Sequence, residues 1–91
     1  MKILANDGVS QSGIDVLTEA GFEVITTNVA QEQLINYINE NKITVLLVRS
    51  ATTARKDLID SCPSLKVIGR GGVGMDNIDV EYAREKGLSV I

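Results

Sequence analysis

The chain has 91 residues, 44% of them apolar, with nine basic and twelve acidic residues and a net charge of −3. This length predicts one small domain with a large exposed surface. The basic residues are scattered among acidic ones, which excludes the positive surface that nucleic-acid binding needs. No aliphatic run approaches the roughly 20 residues of a membrane span, and the N-terminus lacks a signal-peptide pattern. We therefore expect a soluble, cytoplasmic domain with neither nucleic acid nor membrane as a partner.

Cys62 is the single cysteine, and the chain contains no histidine. An internal disulfide is therefore impossible, and no zinc or other metal site is expected. Cys62 precedes Pro63 at a predicted helix end, where we expect a buried and unreactive thiol.

Short runs rich in Ile, Val and Leu recur along the chain, as expected of strands that are buried on both faces. Each of the first four is followed by a helix-like stretch. The predicted strands are residues 2–5, 23–26, 44–48, 66–69 and 88–91.

Apolar residues at helical spacing predict helices over residues 13–20 and 31–39. A last helix is expected over residues 80–86. Ser12 and Asp15 form a predicted capping pair at the first of these helices, because a hydroxyl and a carboxylate three residues apart can satisfy free amides of a first turn.

Other residues predict where helices begin or end. Asp79 is expected to cap the last helix. Gly21, Asn41 and Gly87 stand where helices need a left-handed terminator.

The alternation of strands and helices predicts an α/β fold with a parallel sheet and right-handed crossovers. For five strands the commonest order is 2-1-3-4-5, which opens a crevice at the carboxyl ends of strands 1 and 3. The turns after strands 1, 3 and 4 are expected to line this crevice.

Two arginines and a glycine turn fall at that edge. Arg49 follows strand 3, and Arg70 follows strand 4 and opens the turn 71–74. Parallel neighbours lie about 4.8 Å apart, so these groups should emerge together. A guanidinium can grip a carboxylate or phosphate, Ser50 adds a hydroxyl, and a glycine turn can present backbone amides. The edge is a predicted anion site; the alternative is solvated charges beside a tight turn.

The sequence lacks the side chains and the nucleotide-binding motif that catalysis would need. Gly72-Val73-Gly74 is not a dinucleotide fingerprint, because Asn77 replaces the third glycine. Without histidine, Ser50 has no base to activate it, and no pair of carboxylates stands out.

Three stretches together resemble the D-2-hydroxyacid dehydrogenase family, and within it the phosphoglycerate dehydrogenases. They are VRSAT at 48–52, PSLKVIGRGGVGMDNID at 63–79 and AREKGLSV at 83–90. The resemblance implies a flavodoxin-like, three-layer substrate-binding domain of an NAD-dependent oxidoreductase. Residues 1–91 are then a single partial domain, truncated after strand 5, and the NAD-binding domain is absent.

The resemblance also implies roles for individual residues. Arg49, Ser50 and Arg70 meet the acidic groups of a small substrate. The amides of Val73 and Gly74 hold its carboxylate beside the nicotinamide, so Val73 also contacts NAD. The family's catalytic Arg, Glu and His lie outside this stretch, so the chain alone should bind no cofactor and be inactive.

Rival functions come from other classes of protein. A receiver domain needs a phosphorylatable aspartate after strand 3, where this chain has Arg49. A flavin carrier needs aromatic side chains at the crevice, and the aromatic residues are expected elsewhere. A stand-alone anion-binding module, or a folding and assembly module, remains the alternative.

The predicted strand order covers the sheet unevenly. With right-handed crossovers, the helix after strand 1 packs on one face and the other three helices pack on the opposite face. Part of the aliphatic surface of strands 3, 4 and 5 should then be exposed, which soluble monomers seldom tolerate. We expect a two-fold homodimer that buries this face or exchanges elements between the two chains.

Overall fold

The computed structural model describes residues 1–7, 11–49, 52–70 and 78–90, with only the backbone of Arg70. Strands and helices alternate as predicted. In chain order they are β1 (Lys2–Ala5), α1 (Gln11–Glu19), β2 (Glu23–Ile25), a 3-10 turn (Gln31–Gln33), α2 (Leu34–Asn41), β3 (Val45–Val48), α3 (Lys56–Ser61), β4 (Val67–Arg70), α4 (Val80–Glu85) and β5 (Ser89–Val90).

The five strands form one parallel sheet in the order β2-β1-β3-β4-β5. The predicted fold class and strand order are confirmed. Since the crossover direction reverses between β1 and β3, the turns that follow these two strands meet at the carboxyl edge of the sheet.

Helix α1 begins two residues earlier than the predicted helix, at Gln11. Ser12 therefore lies inside the first turn, and the predicted capping pair of Ser12 with Asp15 is wrong. The Asp15 carboxylate instead accepts a hydrogen bond of 3.0 Å from the Gln11 side chain, one turn away on the exposed surface.

Two of the three predicted helix terminators are confirmed. Gly21 has φ +93° and Gly87 has φ +89°. This left-handed conformation is strained for any residue that has a side chain, so it favours glycine. The prediction for Asn41 is wrong, because α2 continues through Asn41 and Lys42 adopts the left-handed conformation with φ 53°.

The main core lies on one face of the sheet. Leu4, Leu46 and Ile68 are all 0% exposed and occupy matching positions on adjacent strands. They pack in one buried cluster with side chains from three helices, including Leu34 and Ile38 of α2, Leu58 and Ile59 of α3, and Ala83 of α4.

The opposite face is covered less completely. Ile3, Val45, Val67 and Ser89 pair in register across four adjacent strands. Their exposure rises across the sheet, from 2% at Ile3 and 9% at Val45 to half-buried Val67 and exposed Ser89. Helix α1 packs beside β2 and has no buried residue. The burial of this second face therefore decreases from β1 toward β5.

Self-association through this second face stays a prediction. Leu47 and Val67 lie on it half-buried, and Ile91, the last residue of the predicted fifth strand, is outside the described residues. Sedimentation over a concentration series should show a dimer if a second copy buries the face, whereas a clean monomer at high concentration would contradict the idea.

Within the described part of the chain, no helix has the length and apolar character to cross a bilayer.

Candidate functional site at the carboxyl edge of the sheet

The Asp7 carboxylate joins the turns after β1 and β3. Its Oδ2 accepts hydrogen bonds from the backbone amides of Arg49, at 2.7 Å, and Thr52, at 3.0 Å. Its Oδ1 accepts a third from the Thr52 hydroxyl at 2.6 Å. The two turns thus meet where the strand order predicts.

Asn6 ties the same turn to two other loops. Its side-chain amide nitrogen donates to the Val29 carbonyl at 3.0 Å and to the Thr52 hydroxyl at 2.8 Å. Its carbonyl oxygen accepts from the Val29 amide at 2.6 Å. Asn6 and Thr52 are each 3% exposed, and buried polar groups are stable only when bonded in this way.

Thr52 is the centre of this network. Its hydroxyl accepts from Asn6 and donates to Asp7, so both capacities of the hydroxyl are used. The next residue, Thr53, exchanges two hydrogen bonds with the Gln31 side chain, of 2.9 and 3.0 Å. The loop after β3 is therefore held from two sides.

The chain that follows the glycine turn is anchored to the start of α3. Ala54 and Ile78 form a parallel bridge, and the Asp79 amide donates to the Ala54 carbonyl at 3.0 Å. The Asp79 carboxylate accepts from the Lys56 amide at 2.9 Å and pairs with Arg55 at 3.3 Å.

This arrangement corrects the role predicted for Asp79. Asp79 occupies the N-cap position of α4, as predicted, but its side chain makes no capping bond to that helix. It caps α3 instead, because the Lys56 amide is one of the unpaired donors of the first turn of α3 and lies within reach. The carboxylate thereby links the loops after β3 and β4.

The predicted site residues are placed in part. Arg49 is exposed and directly follows Val48, whose register partner on β4 is Arg70. The backbones of the two arginines are therefore neighbours at one edge of the sheet. Ser50, Val73 and Gly74 lie outside the described residues, and all five roles remain predictions.

Sequence reasoning placed Asn6 and Asp7 on the crevice but assigned them no hydrogen bonds. The available signal was the Asn-Asp pair directly after a buried strand, since short polar side chains there can bond to neighbouring loops. Their partners lie between 23 and 46 residues away in sequence, so no local pattern could have identified them.

Two cavities lie along α3 and α4. One, of about 390 Å³, is lined by residues including Lys56, Asp79 and Glu85. The other, of about 280 Å³, includes Asp60 and Lys86. Each mixes acidic and basic side chains, so neither offers the single sign of charge that a charged ligand requires.

Tyr82 bridges α3 and α4 between these cavities. Its hydroxyl lies 2.7 Å from both carboxylate oxygens of Asp60, and the Lys56 and Lys86 ammonium groups lie 5.3 and 5.4 Å from the ring centroid. The hydrogen bond to Asp60 raises the pKa of Tyr82, because an ionised phenolate could no longer donate to the carboxylate. The contact holds the two helices together.

Cys62 is buried as predicted, with 1% of its surface exposed. Burial raises the pKa of its thiol from 9.0 to about 11, because the thiolate loses solvation. In the part of the chain that the structure describes, no three metal-binding side chains cluster.

The buried thiol predicts an alkaline loss of stability. The unfolded chain releases the Cys62 proton near its ordinary pKa, and the folded chain holds it until about pH 11. The contribution of this thiol to the free energy of unfolding should therefore be fully present below pH 9. It should be lost between pH 9 and 11, which lowers the free energy of unfolding by about 2 kcal/mol or less. Urea unfolding at several pH values measures this. Cys62→Ala should flatten the fall, leaving the part due to Tyr82; an equal fall in both proteins would contradict the assignment.

The sequence profile of the family "D-isomer specific 2-hydroxyacid dehydrogenase, catalytic domain" matches residues 3–91. The chain belongs to this family. The resemblance inferred from the R-S-x-T and glycine-turn motifs is confirmed, and the 2-hydroxyacid dehydrogenases are oxidoreductases.

Relatives with assigned names agree with this membership. The chain is 44% identical over 91 residues to D-3-phosphoglycerate dehydrogenase of Methanocaldococcus jannaschii, covering 100% of this chain and 17% of that protein. It is 36% identical over 91 residues to hydroxypyruvate reductase of Thermotoga maritima, covering 99% of this chain and 29% of that protein. The chain thus spans less than a third of the length of these dehydrogenases.

A solved member of the family has the same fold. NAD⁺-bound 3-phosphoglycerate dehydrogenase of Entamoeba histolytica superposes with a TM-score of 0.81 at 26% identity, covering 100% of this chain and 32% of that one. The parallel five-stranded α/β architecture is therefore that of a 2-hydroxyacid dehydrogenase.

Proposed function

We propose that this chain forms the substrate-binding lobe of an NAD-dependent D-2-hydroxyacid dehydrogenase that acts on 3-phosphoglycerate or a related acid. One observation carries the proposal: Arg49 and Arg70 leave neighbouring strands at one edge, in a chain 44% identical to a 3-phosphoglycerate dehydrogenase. An arginine binds a carboxylate or a phosphate through paired hydrogen bonds, so two arginines on adjacent strands suit a substrate that carries both groups.

The hydrogen bonds at this edge determine which donor groups are left to bind the substrate. The backbone amides of Arg49 and Thr52 are already bonded to Asp7. An incoming acidic group must therefore be met by the Arg49 side chain and, by family resemblance, by Ser50 and the amides of Val73 and Gly74. A charge-assisted hydrogen bond of this kind contributes about 1.5–3 kcal/mol.

The described residues do not suit NAD by themselves. In a dinucleotide site the turn after the first strand presents free backbone amides to the pyrophosphate. Here that turn carries the Asp7 carboxylate, which would repel a phosphate. We therefore assign NAD to the intact enzyme and infer that this chain alone neither retains NAD nor turns over substrate.

A titration tests the proposal. Amide chemical shifts of the ¹⁵N-labelled chain are followed with 3-phosphoglycerate and with D-glycerate, which lacks the phosphate. Shifts around Arg49 should saturate, with tighter binding of 3-phosphoglycerate. Arg49→Ala should weaken binding by at least about tenfold, as expected for one lost charge-assisted bond.

The matched control is Arg84→Ala, which removes an exposed arginine from α4. The affinity of this variant for 3-phosphoglycerate should stay within about twofold of that of the unaltered chain. Salt screens the effect of an exposed charge that lies far from the binding site. Absence of saturable shifts in the unaltered chain, or equal losses at Arg49 and Arg84, would contradict the proposed site. Protein-dependent formation of NADH from NAD and 3-phosphoglycerate would show that the inferred inactivity is wrong.

A further inference from the structure

We infer that Asp7 is a positioning residue, which fixes the loop from β3 to α3 and so determines where Arg49 meets the acidic group of the substrate. The inference rests on the proposed function for its ligand. Its structural part, that Asp7 holds the loop, stands on the hydrogen bonds alone.

The first observation is that two backbone amides converge on one oxygen. The amides of Arg49 and Thr52, three residues apart, both donate to Asp7 Oδ2. A carboxylate of the chain itself accepts hydrogen bonds from both amides, so Arg49 and Thr52 are held in place without a ligand.

The second observation is that the carboxylate is attached to rigid structure. Asp7 follows β1, whose Leu4 and Ala5 are 0% exposed. Its neighbour Asn6 is anchored to Val29 by two hydrogen bonds and also bonds to Thr52. Asp7 therefore holds Arg49 and Thr52 at a fixed position relative to the central strand β1.

The consequence for Arg49 is positional. Arg49 directly follows β3, its own backbone amide donates a hydrogen bond to Asp7, and the Thr52 amide three residues later donates to the same carboxylate. A binding group must be held within about 0.5 Å of its productive position to be fully effective. Ordering the loop in advance also removes an entropic cost from ligand binding.

The charge of Asp7 acts in the opposite direction. A carboxylate beside an anion site repels the ligand, so a purely electrostatic role predicts that its removal strengthens binding. Positioning predicts that its removal weakens binding. The two roles are separated by Asp7→Ala, which removes charge and acceptors, and Asp7→Asn, which removes the charge but keeps an amide oxygen as acceptor.

Each variant is compared with the unaltered full chain by two measurements. Hydrogen exchange is recorded for the Arg49 and Thr52 amides without ligand, and the dissociation constant for 3-phosphoglycerate is measured by titration. Asp15→Ala is the matched control, because it removes an exposed carboxylate of equal charge from α1.

In Asp7→Ala we expect exchange of the two amides to accelerate by about tenfold or more, and 3-phosphoglycerate to bind about tenfold more weakly, each a loss of about 1.4 kcal/mol. Asp7→Asn should restore the protection and bind at least as tightly as the unaltered chain, and Asp15→Ala should change neither measurement. Rescue by asparagine is a response that loss of the fold would not produce.

Unchanged exchange of the Arg49 and Thr52 amides in Asp7→Ala would overturn the inference, as would binding that is equal or tighter in that variant. If the unaltered chain shows no affinity for 3-phosphoglycerate, the proposed function fails, and the exchange measurement alone decides whether Asp7 positions the loop.

Discussion

Replacing Leu46 with alanine should lower the free energy of unfolding by about 2–5 kcal/mol, while the same replacement at Leu47 should cost less than about 2 kcal/mol. Leu46 is 0% exposed and belongs to the main core beneath α2, α3 and α4. Leu47 is the next residue of the same strand, points to the opposite face and is half-buried. The pair compares the two faces at one place in the sheet.

Urea unfolding followed by circular dichroism measures both values. The pair controls for strand propensity, because the substitution and the strand are identical. Equal costs at both positions would contradict the uneven cover described here. A cost at Leu47 that grows with protein concentration would instead support a second copy on that face.

Replacing Asn6 with alanine should cost about 3 kcal/mol or more, which is large for a polar residue of a turn. The side chain bonds to both backbone groups of Val29 and to the Thr52 hydroxyl. Its removal takes these bonds from the Val29 amide and carbonyl, each of which costs about 1–3 kcal/mol if left unsatisfied, whereas the Thr52 hydroxyl keeps its bond to Asp7.

Asn39→Ala is the control for this prediction. The Asn39 side chain donates one exposed hydrogen bond of 2.8 Å to the Ser61 carbonyl, which water can replace. Its removal should cost about 1 kcal/mol or less. If thermal or urea unfolding gives equal losses for the two variants, the buried network around Asn6 does not contribute as inferred.

The sequence by itself determined the fold class, the strand order and the edge at which the arginines emerge. Parallel strands buried on both faces need unbroken aliphatic runs, such as Val45–Val48, and these are visible without any tertiary information. Right-handed crossovers then leave few arrangements for five strands. Gly21 and Gly87 were predictable for an equally local reason, since left-handed helix ends favour glycine.

The tertiary structure alone decided which groups the polar side chains bind. Asp79 precedes α4 yet caps α3, because packing brings the backbone amide of Lys56, 23 residues earlier in sequence, to 2.9 Å from its carboxylate. Asp7 reaches Arg49 across 42 residues for the same reason. A carboxylate binds whichever donor the packed chain brings within about 3 Å, and that distance depends on how the strands and loops assemble rather than on the residues beside it in sequence.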